Sequence, residues 1–377
     1  MRLIIFSSNH CNLTCPYCAV AVNKNEASSL SFDQVRMGVD SFLKRYPDRE
    51  HKMVFLGGEP MMYHKELKKI VKYMRARRPG GIPGVDIFTN GTLMTQEKVD
   101  DLEELGVDIY LSLDGRKEVN DENRFYYKQK GSVYEKVMGN LSQIKWKNKR
   151  VNSVVHAKTV KSLVGNVHLF YKLGFQEINF QPDLYEVWTE PQLKVLAQTL
   201  REFAYYYEKI FKTEERIFVL PVLHFILERL VKREEEERWW ETPEDVVLGR
   251  DGFFYPCPTS STFHPKDVKA YRIGSVEEGI DWKKWDVFKK RVTDYIKKEG
   301  YFYADFYHTP EEMFLYGEAS SHGVEQVFKN ENRVSEVFRQ EFSRMAERMK
   351  KDARFRKIYI DRNFSLEDMA EMVGAGA

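Results

Sequence analysis

Residues 2–18 read Arg2-Leu-Ile-Ile-Phe-Ser-Ser-Asn-His-Cys11-Asn-Leu-Thr-Cys15-Pro-Tyr-Cys18. A β-branched apolar run opens this stretch, and three cysteines within eight residues follow it. The run predicts a first strand over 2–7, which places the cysteines in the loop where that strand ends. The fourth cysteine, Cys257, stands alone. Four cysteines in 377 residues are too few for a disulfide scaffold. In a reducing compartment a tight triplet points instead to metal binding.

Downstream, five more short apolar runs predict strands over 53–57, 85–89, 108–113, 151–157 and 177–181. Helical periodicity predicts helices over 32–45, 65–77, 96–105, 134–145, 164–172 and 191–211. Six β-then-α units imply a parallel sheet with right-handed crossovers and helices outside, an open α/β barrel rather than a full eight-unit one. In such architectures the working residues lie at the carboxyl edge of the strands.

Beyond the sixth unit the pattern changes. A charge run over 232–238 reads as a solvated helix end, and Gly249-Arg-Asp-Gly252 between two apolar runs reads as a hairpin. After Trp285 the chain is helical and highly charged, with a capping box at Ser365-Leu-Glu-Asp368 and a frayed end over 374–377. Three units are expected: a barrel over 1–215, an α+β extension over 216–310 and a helical tail over 311–377.

Three thiolates in one loop suit three irons of a cuboidal cluster and leave the fourth iron open to a ligand. The alternative is a zinc site completed by Cys257, although structural zinc sites usually bring their ligands in two close pairs. With Tyr17 before the last cysteine, the spacing resembles the Cx3CxφC signature of the radical SAM superfamily. Gly57-Gly58-Glu59-Pro60, closing the second strand, is similar to that family's GGEP segment.

The resemblance implies a partial (β/α)6 TIM-like barrel and one [4Fe-4S] cluster on Cys11, Cys15 and Cys18. It also implies that the chain reductively cleaves S-adenosylmethionine (SAM) to a 5'-deoxyadenosyl radical. Gly57, Gly58, Glu59 and Pro60 are then expected at the methionine amino group of SAM, where glycines admit close backbone approach and a carboxylate adds charge complementarity. Tyr17 is expected beside the adenine. Ser112 and Arg124 are expected at the ribose or carboxylate, and Asn90 in the same pocket. Asn90-Gly91 and Asp114-Gly115 also read as ordinary turn formers.

The region around Cys257 resembles the start of a SPASM or twitch extension but lacks the cysteines of an auxiliary cluster. One cluster per chain is therefore expected. Cys257 reads as a buried small hydrophobe, as a hydrogen-atom donor to a substrate radical, or as a metal ligand. The aromatic clusters over 204–207 and 301–307 read chiefly as packing, and His308 and His322 as structural or solvent-facing.

Lys+Arg (59) nearly balances Asp+Glu (57), so charge supplies no polyanion-binding signature. The N-terminal apolar run is too short for a secretory segment or a membrane span. These features predict a soluble cytoplasmic protein, and the resemblance implies an enzyme acting on a peptide or peptide-like substrate by cross-linking, dehydrogenation or epimerisation. A small-molecule epimerase or dehydrogenase using Cys257 is the second reading, and a zinc-stabilised binding module the third. A low-potential electron donor is implied as partner, with no nucleic acid and no membrane.

Overall fold

The structure is a computed structural model that describes residues 2–18, 29–45, 51–77, 84–183, 185–211, 218–219, 221–222, 245–259, 268–299, 310–352 and 355. The charge run over 232–238, the aromatic run over 301–307, His308, the capping box at Ser365 and the end over 374–377 lie outside the described residues.

The six predicted strands form β1 (Arg2–Phe6), β2 (Lys52–Leu56), β3 (Gly84–Thr89), β4 (Val107–Ser112), β5 (Arg150–Val155) and β6 (Glu177–Pro182). They lie side by side in chain order, every neighbouring pair parallel. Their register sets Leu3 beside Met53, Met53 beside Val85 and Val85 beside Val107. Leu3, Ile5, Met53, Phe55, Val85 and Ile87 face the main core, while Ile4, Phe6 and Val54 join a smaller cluster on the other face. Burial on both faces explains why these strands read as continuous apolar runs.

The crossover helices are α1 (Phe32–Leu43), α2 (His64–Arg77), α3 (Gln96–Glu104), α4 (Lys117–Asn123), α5 (Val133–Leu141) and α6 (Leu163–Lys172). Ser31 and Gln34 form a capping box at the start of α1, and Thr95 caps α3. The short α4 has no counterpart among the predicted helices, and α5 stops four residues before the predicted end at 145.

The sheet continues past both edges of this set. β7 (Phe218–Val219) adds parallel to β6, and β8 (Asp245–Leu248) adds parallel to β1. β9 (Phe254–Tyr255) returns antiparallel to β8 through the predicted hairpin, whose Gly252 has a φ of 78°. The result is an open nine-stranded sheet in the order β9-β8-β1-β2-β3-β4-β5-β6-β7.

After α7 (Glu190–Phe211), the C-terminal helices α8 (Trp282–Glu299), α9 (Pro310–Ala319) and α10 (Gly323–Met349) follow the hairpin. α10 is amphipathic and buries Val334, Phe338, Phe342 and Met345. Phe342 meets Phe203 of α7 with ring centroids 6.0 Å apart, and Glu341 pairs with Arg201 at 2.8 Å. Helix α10 is thus packed into the main core. No helix among the described residues is long and apolar enough to cross a membrane.

Charge is distributed unevenly along the strands. Near the amino edge Arg2 pairs with Asp245 at 2.6 Å, Lys52 with Asp86 at 2.8 Å, and Arg150 with Glu177 at 3.0 Å and with Asp108. These ion pairs tie neighbouring strands together at the end away from the cysteines.

Candidate active site at the carboxyl edge

The cysteine loop leaves β1 at its carboxyl end and is fastened to the next strand through the main chain. Gly58 N donates to Ser8 O at 2.8 Å and Glu59 N to His10 O at 2.7 Å. A Cβ on Gly57 would lie 2.4 Å from Ser8 O, and one on Gly58 would lie 1.7 Å from His10 O. Gly57 also has a φ of 126°, which side chains disfavour. The two glycines are therefore required for the approach of the cysteine loop itself, whereas the sequence alone suggests that their freedom serves the approach of an ammonium group.

Glu59 is buried, and its carboxylate is occupied by the protein. Oε1 accepts from Met61 N at 3.0 Å and Thr89 Oγ1 at 2.5 Å, and Oε2 from Asn90 N at 2.7 Å. Burial pushes this carboxyl upward, opposed by those three donors. In this structure the side chain of Glu59 locks the ends of β2 and β3 together. Pro60 follows as the first residue of a buried 3-10 turn, Pro60–Tyr63.

Asn90 is turned inward as well. Its Nδ2 donates to Asn12 Oδ1 at 2.9 Å and approaches Cys11 Sγ at 3.8 Å, while its Oδ1 accepts from Thr92 N and Oγ1 at 3.0 and 2.6 Å. Asn12 Nδ2 reaches Thr92 Oγ1 at 2.8 Å. Asn90 thus holds the cysteine loop to the end of β3. The same loop pairs Leu13–Thr14 antiparallel with Phe125–Tyr126.

Arg124 is also buried, and it is not an exposed loop charge. Its Nε and Nη2 donate to Asp114 Oδ2 and Oδ1, each at 3.0 Å. Asp114 accepts further from Tyr17 Oη at 2.7 Å and Val154 N at 3.1 Å. The guanidinium lies 5.4 Å from the centroid of the Tyr17 ring. The Arg124 fork is thus held by Asp114, a residue that reads in sequence as a turn former. Ser112 ends β4, half-buried.

Cys11, Cys15 and Cys18 are half-buried, and none of the four cysteines is in a disulfide. Burial pushes the Cys15 thiol up to about 12, against the pull of Arg124, with Cys18, Asp114 and Cys11 adding to the rise. Cys11 Sγ accepts from Leu13 N at 3.4 Å. Amide donors and a nearby guanidinium both favour thiolate. Four thiolates on one zinc, about 2.3 Å from the ion, stand only about 4 Å apart. Among the described residues the side chains whose ligand atoms converge within 4.8 Å are His156, Asp183 and Glu186, not the cysteines. Cys257 is 1% exposed in the main core, within electrostatic reach of Tyr185 and Tyr271. The arrangement fits a cluster held by three thiolates on one loop better than a single ion shared with Cys257.

His156, which the sequence does not single out, ends β5 beside this loop. Its ring centroid is 4.7 Å from that of Tyr17, and its Nδ1 is 3.2 Å from Asp183 Oδ2. A lone histidine at a strand end carries no distinguishing spacing. Asp114 is at least legible as an acid ten residues before Arg124.

The radical SAM superfamily model matches residues 5–157. Among curated proteins, an uncharacterized protein of Methanocaldococcus jannaschii is 28% identical over 261 residues, 68% of this chain and 85% of its own. The cysteine-type anaerobic sulfatase-maturating enzyme of Clostridium novyi is 24% identical over 298 residues, 73% of this chain and 76% of its own. Among solved structures, a histidine-tagged form of anSMEcpe with bound AdoMet superposes with a TM-score of 0.70 at 18% identity, covering 99% of this chain and 98% of that one. Native anSMEcpe with bound AdoMet and the Cp18Cys peptide gives 0.66 at 18% identity, over 93% and 99%. At these identities the structural likeness is one of fold.

Proposed function

Residues 5–157 are a radical SAM domain and the chain is a radical SAM enzyme, and from that premise we propose that it acts on a peptide or peptide-like substrate. The family uses a [4Fe-4S] cluster and SAM. Cys11, Cys15 and Cys18 would hold the cluster, which when bound supplies the electron that splits SAM into methionine and a 5'-deoxyadenosyl radical. That chemistry would remove a hydrogen atom from the substrate. A cross-link or a dehydrogenation would then give up one further electron, to the cluster or to the electron-carrier partner, whereas an epimerisation would take a hydrogen atom back from a donor such as a thiol.

The observation that carries the cofactor assignment is the docking of the cysteine loop on Gly58 and Glu59, which fixes three thiols at the carboxyl edge of the sheet. Leu13 N and Asn90 Nδ2 point hydrogens at Cys11 Sγ, and Arg124 supplies positive charge near Cys15. Tyr17, Asp114 and Arg124 form a hydrogen-bonded wall on the β4 and β5 side. Gly57, Pro60 and Ser112 border the same edge and are assigned to the SAM pocket.

The peptide assignment rests on the likeness to the sulfatase-maturating enzyme, which runs through 73% of the chain and so beyond the radical SAM domain. Residues 1–215 act as the barrel, 216–310 as a degenerate SPASM-like extension without an auxiliary cluster, and 311–377 as a helical C-terminal region. We assign the enzyme to the cytoplasm, with a low-potential electron donor as partner. A second reading, radical chemistry on a small molecule with Cys257 as hydrogen donor, is favoured by the position of Cys257 near Tyr185, two residues beyond Asp183.

Anaerobic reconstitution tests the proposal. Roughly four irons per chain, with 5'-deoxyadenosine formed from SAM under dithionite, is the expected result. Stoichiometric zinc without iron overturns it. A short peptide encoded beside the gene, incubated with the loaded enzyme, should change in mass or chirality; a sugar or amino acid changing instead establishes the second reading.

A further inference from the structure

We propose that His156, oriented by Asp183, contacts SAM directly through Nε2, accepting a hydrogen bond from an N–H or O–H of its adenosine. This rests on the reading of the carboxyl edge as the SAM site.

A carboxylate only accepts, so the imidazole nitrogen that faces Asp183 Oδ2 at 3.2 Å carries the hydrogen. In the neutral ring Nε2 is then a bare acceptor. It is buried and has no hydrogen-bond partner. An orphaned buried acceptor is costly, and in native proteins such a group is usually completed by a ligand or water.

Asp183 is itself held in place. Its Oδ1 accepts from Tyr185 N at 3.0 Å, and its own N–H donates to Val155 O at 2.9 Å. Glu186 Oε2 accepts from Ala157 N at 3.2 Å, pinning the residue after His156. The ring is therefore fixed by two neighbouring strand ends, its centroid 4.7 Å from that of the Tyr17 ring of the cysteine loop. With the methionine amino group of SAM assigned to the Gly57–Pro60 segment, the matching donors are those of adenosine, a 6-amino group and two ribose hydroxyls. The aromatic face of Tyr17 alongside suits its base.

The test measures SAM affinity by anaerobic equilibrium dialysis on cluster-loaded protein, comparing wild type with His156→Phe and His156→Gln. Phenylalanine keeps a ring against Tyr17 and removes the acceptor; glutamine restores an acceptor oxygen. The expected result is an affinity about threefold to tenfold weaker in His156→Phe, recovered to within about twofold in His156→Gln. Asp183→Asn, which removes the group that fixes the tautomer, should weaken binding in the same direction and serves if the phenylalanine variant does not fold. Repeating the titration with the inosine analogue of SAM separates the donors. If the 6-amino group is the partner, wild type discriminates between the two and His156→Phe does not; if a ribose hydroxyl is, both lose affinity equally on the substitution. Unchanged SAM affinity in a folded, iron-loaded His156→Phe overturns the inference alone. Failure of wild type to bind iron or SAM overturns the underlying reading.

Discussion

Arg124 and Asp114 close on one another through two hydrogen bonds of 3.0 Å, with side-chain exposures of 7% and 0%. Removing either partner leaves a buried charge without its counterion. Asp114→Ala should cost about 3–5 kcal/mol of unfolding free energy, measured by urea denaturation of the cluster-free protein. The double variant with Arg124→Ala should cost less than the sum of the singles, a coupling of at least about 1 kcal/mol. Additive costs would mean that the pair does not act as a unit.

Gly58→Ala should disrupt the cysteine loop, because the new methyl group meets His10 O at 1.7 Å and the obstacle is main chain. Iron after anaerobic reconstitution is expected to fall from roughly four per chain to below about one. The amino edge lies at the other end of the strands, so circular dichroism should still report a folded chain. Full iron loading would show that the close contact is dispensable.

Glu59→Gln replaces an acceptor of three hydrogen bonds with a group that must turn an NH2 toward one of its donors. A loss of about 1–3 kcal/mol is expected, together with reduced iron loading. Glu59→Asp keeps the charge but shortens the reach and should fall between the two. Denaturation and iron assays on the same preparations check both effects.

Glu177 gives a pH dependence. Burial lifts its carboxyl to about 7, opposed by Arg150. The folded state therefore binds a proton over a range, from roughly pH 4 upward, in which the unfolded chain releases it. Its contribution to stability is full below the unfolded value and is lost as pH rises through about 7. Wild-type stability relative to Glu177→Gln should decline across that window and level off above it, as read from denaturation midpoints at a series of pH values.

Cys257→Ala should leave the formation of 5'-deoxyadenosine from SAM within about twofold of wild type, since Cys257 lies in the core and not on the cysteine loop. If the product of the loaded enzyme is an epimer, deuterium from heavy water should enter it in wild type, and the variant should stop epimer formation. Epimer formation by the alanine variant would remove Cys257 from the mechanism.

The strands are legible because a parallel sheet buried on both faces writes itself as short apolar runs. The cysteine loop is legible because three thiols within eight residues of a chain with only one other cysteine point to metal binding. The contacts of Glu59, Asn90 and Arg124 escape the sequence for one shared reason. A polar residue at a strand end looks the same in sequence whether it faces a ligand or a neighbouring strand. Only the fold shows that Asp114 pairs with the Arg124 fork. His156 and Asp183 lie 27 positions apart and meet only because β5 and β6 are adjacent. The attachment of β8 to β1 is hidden for the same reason, with more than 230 residues between them.

That attachment bears on how the protein can be dissected. β1 launches the cysteine loop, and it is an interior strand only because Asp245–Leu248 lies along its outer side. A chain cut near residue 215 would strip that cover and turn β1 into a bare, strongly apolar edge open to pairing with another molecule. The part of the sequence that carries the family signature is thus not a detachable cassette. A truncated version made to simplify spectroscopy should be recovered as aggregate, and grafting its loops onto another scaffold would require carrying the distant hairpin as well.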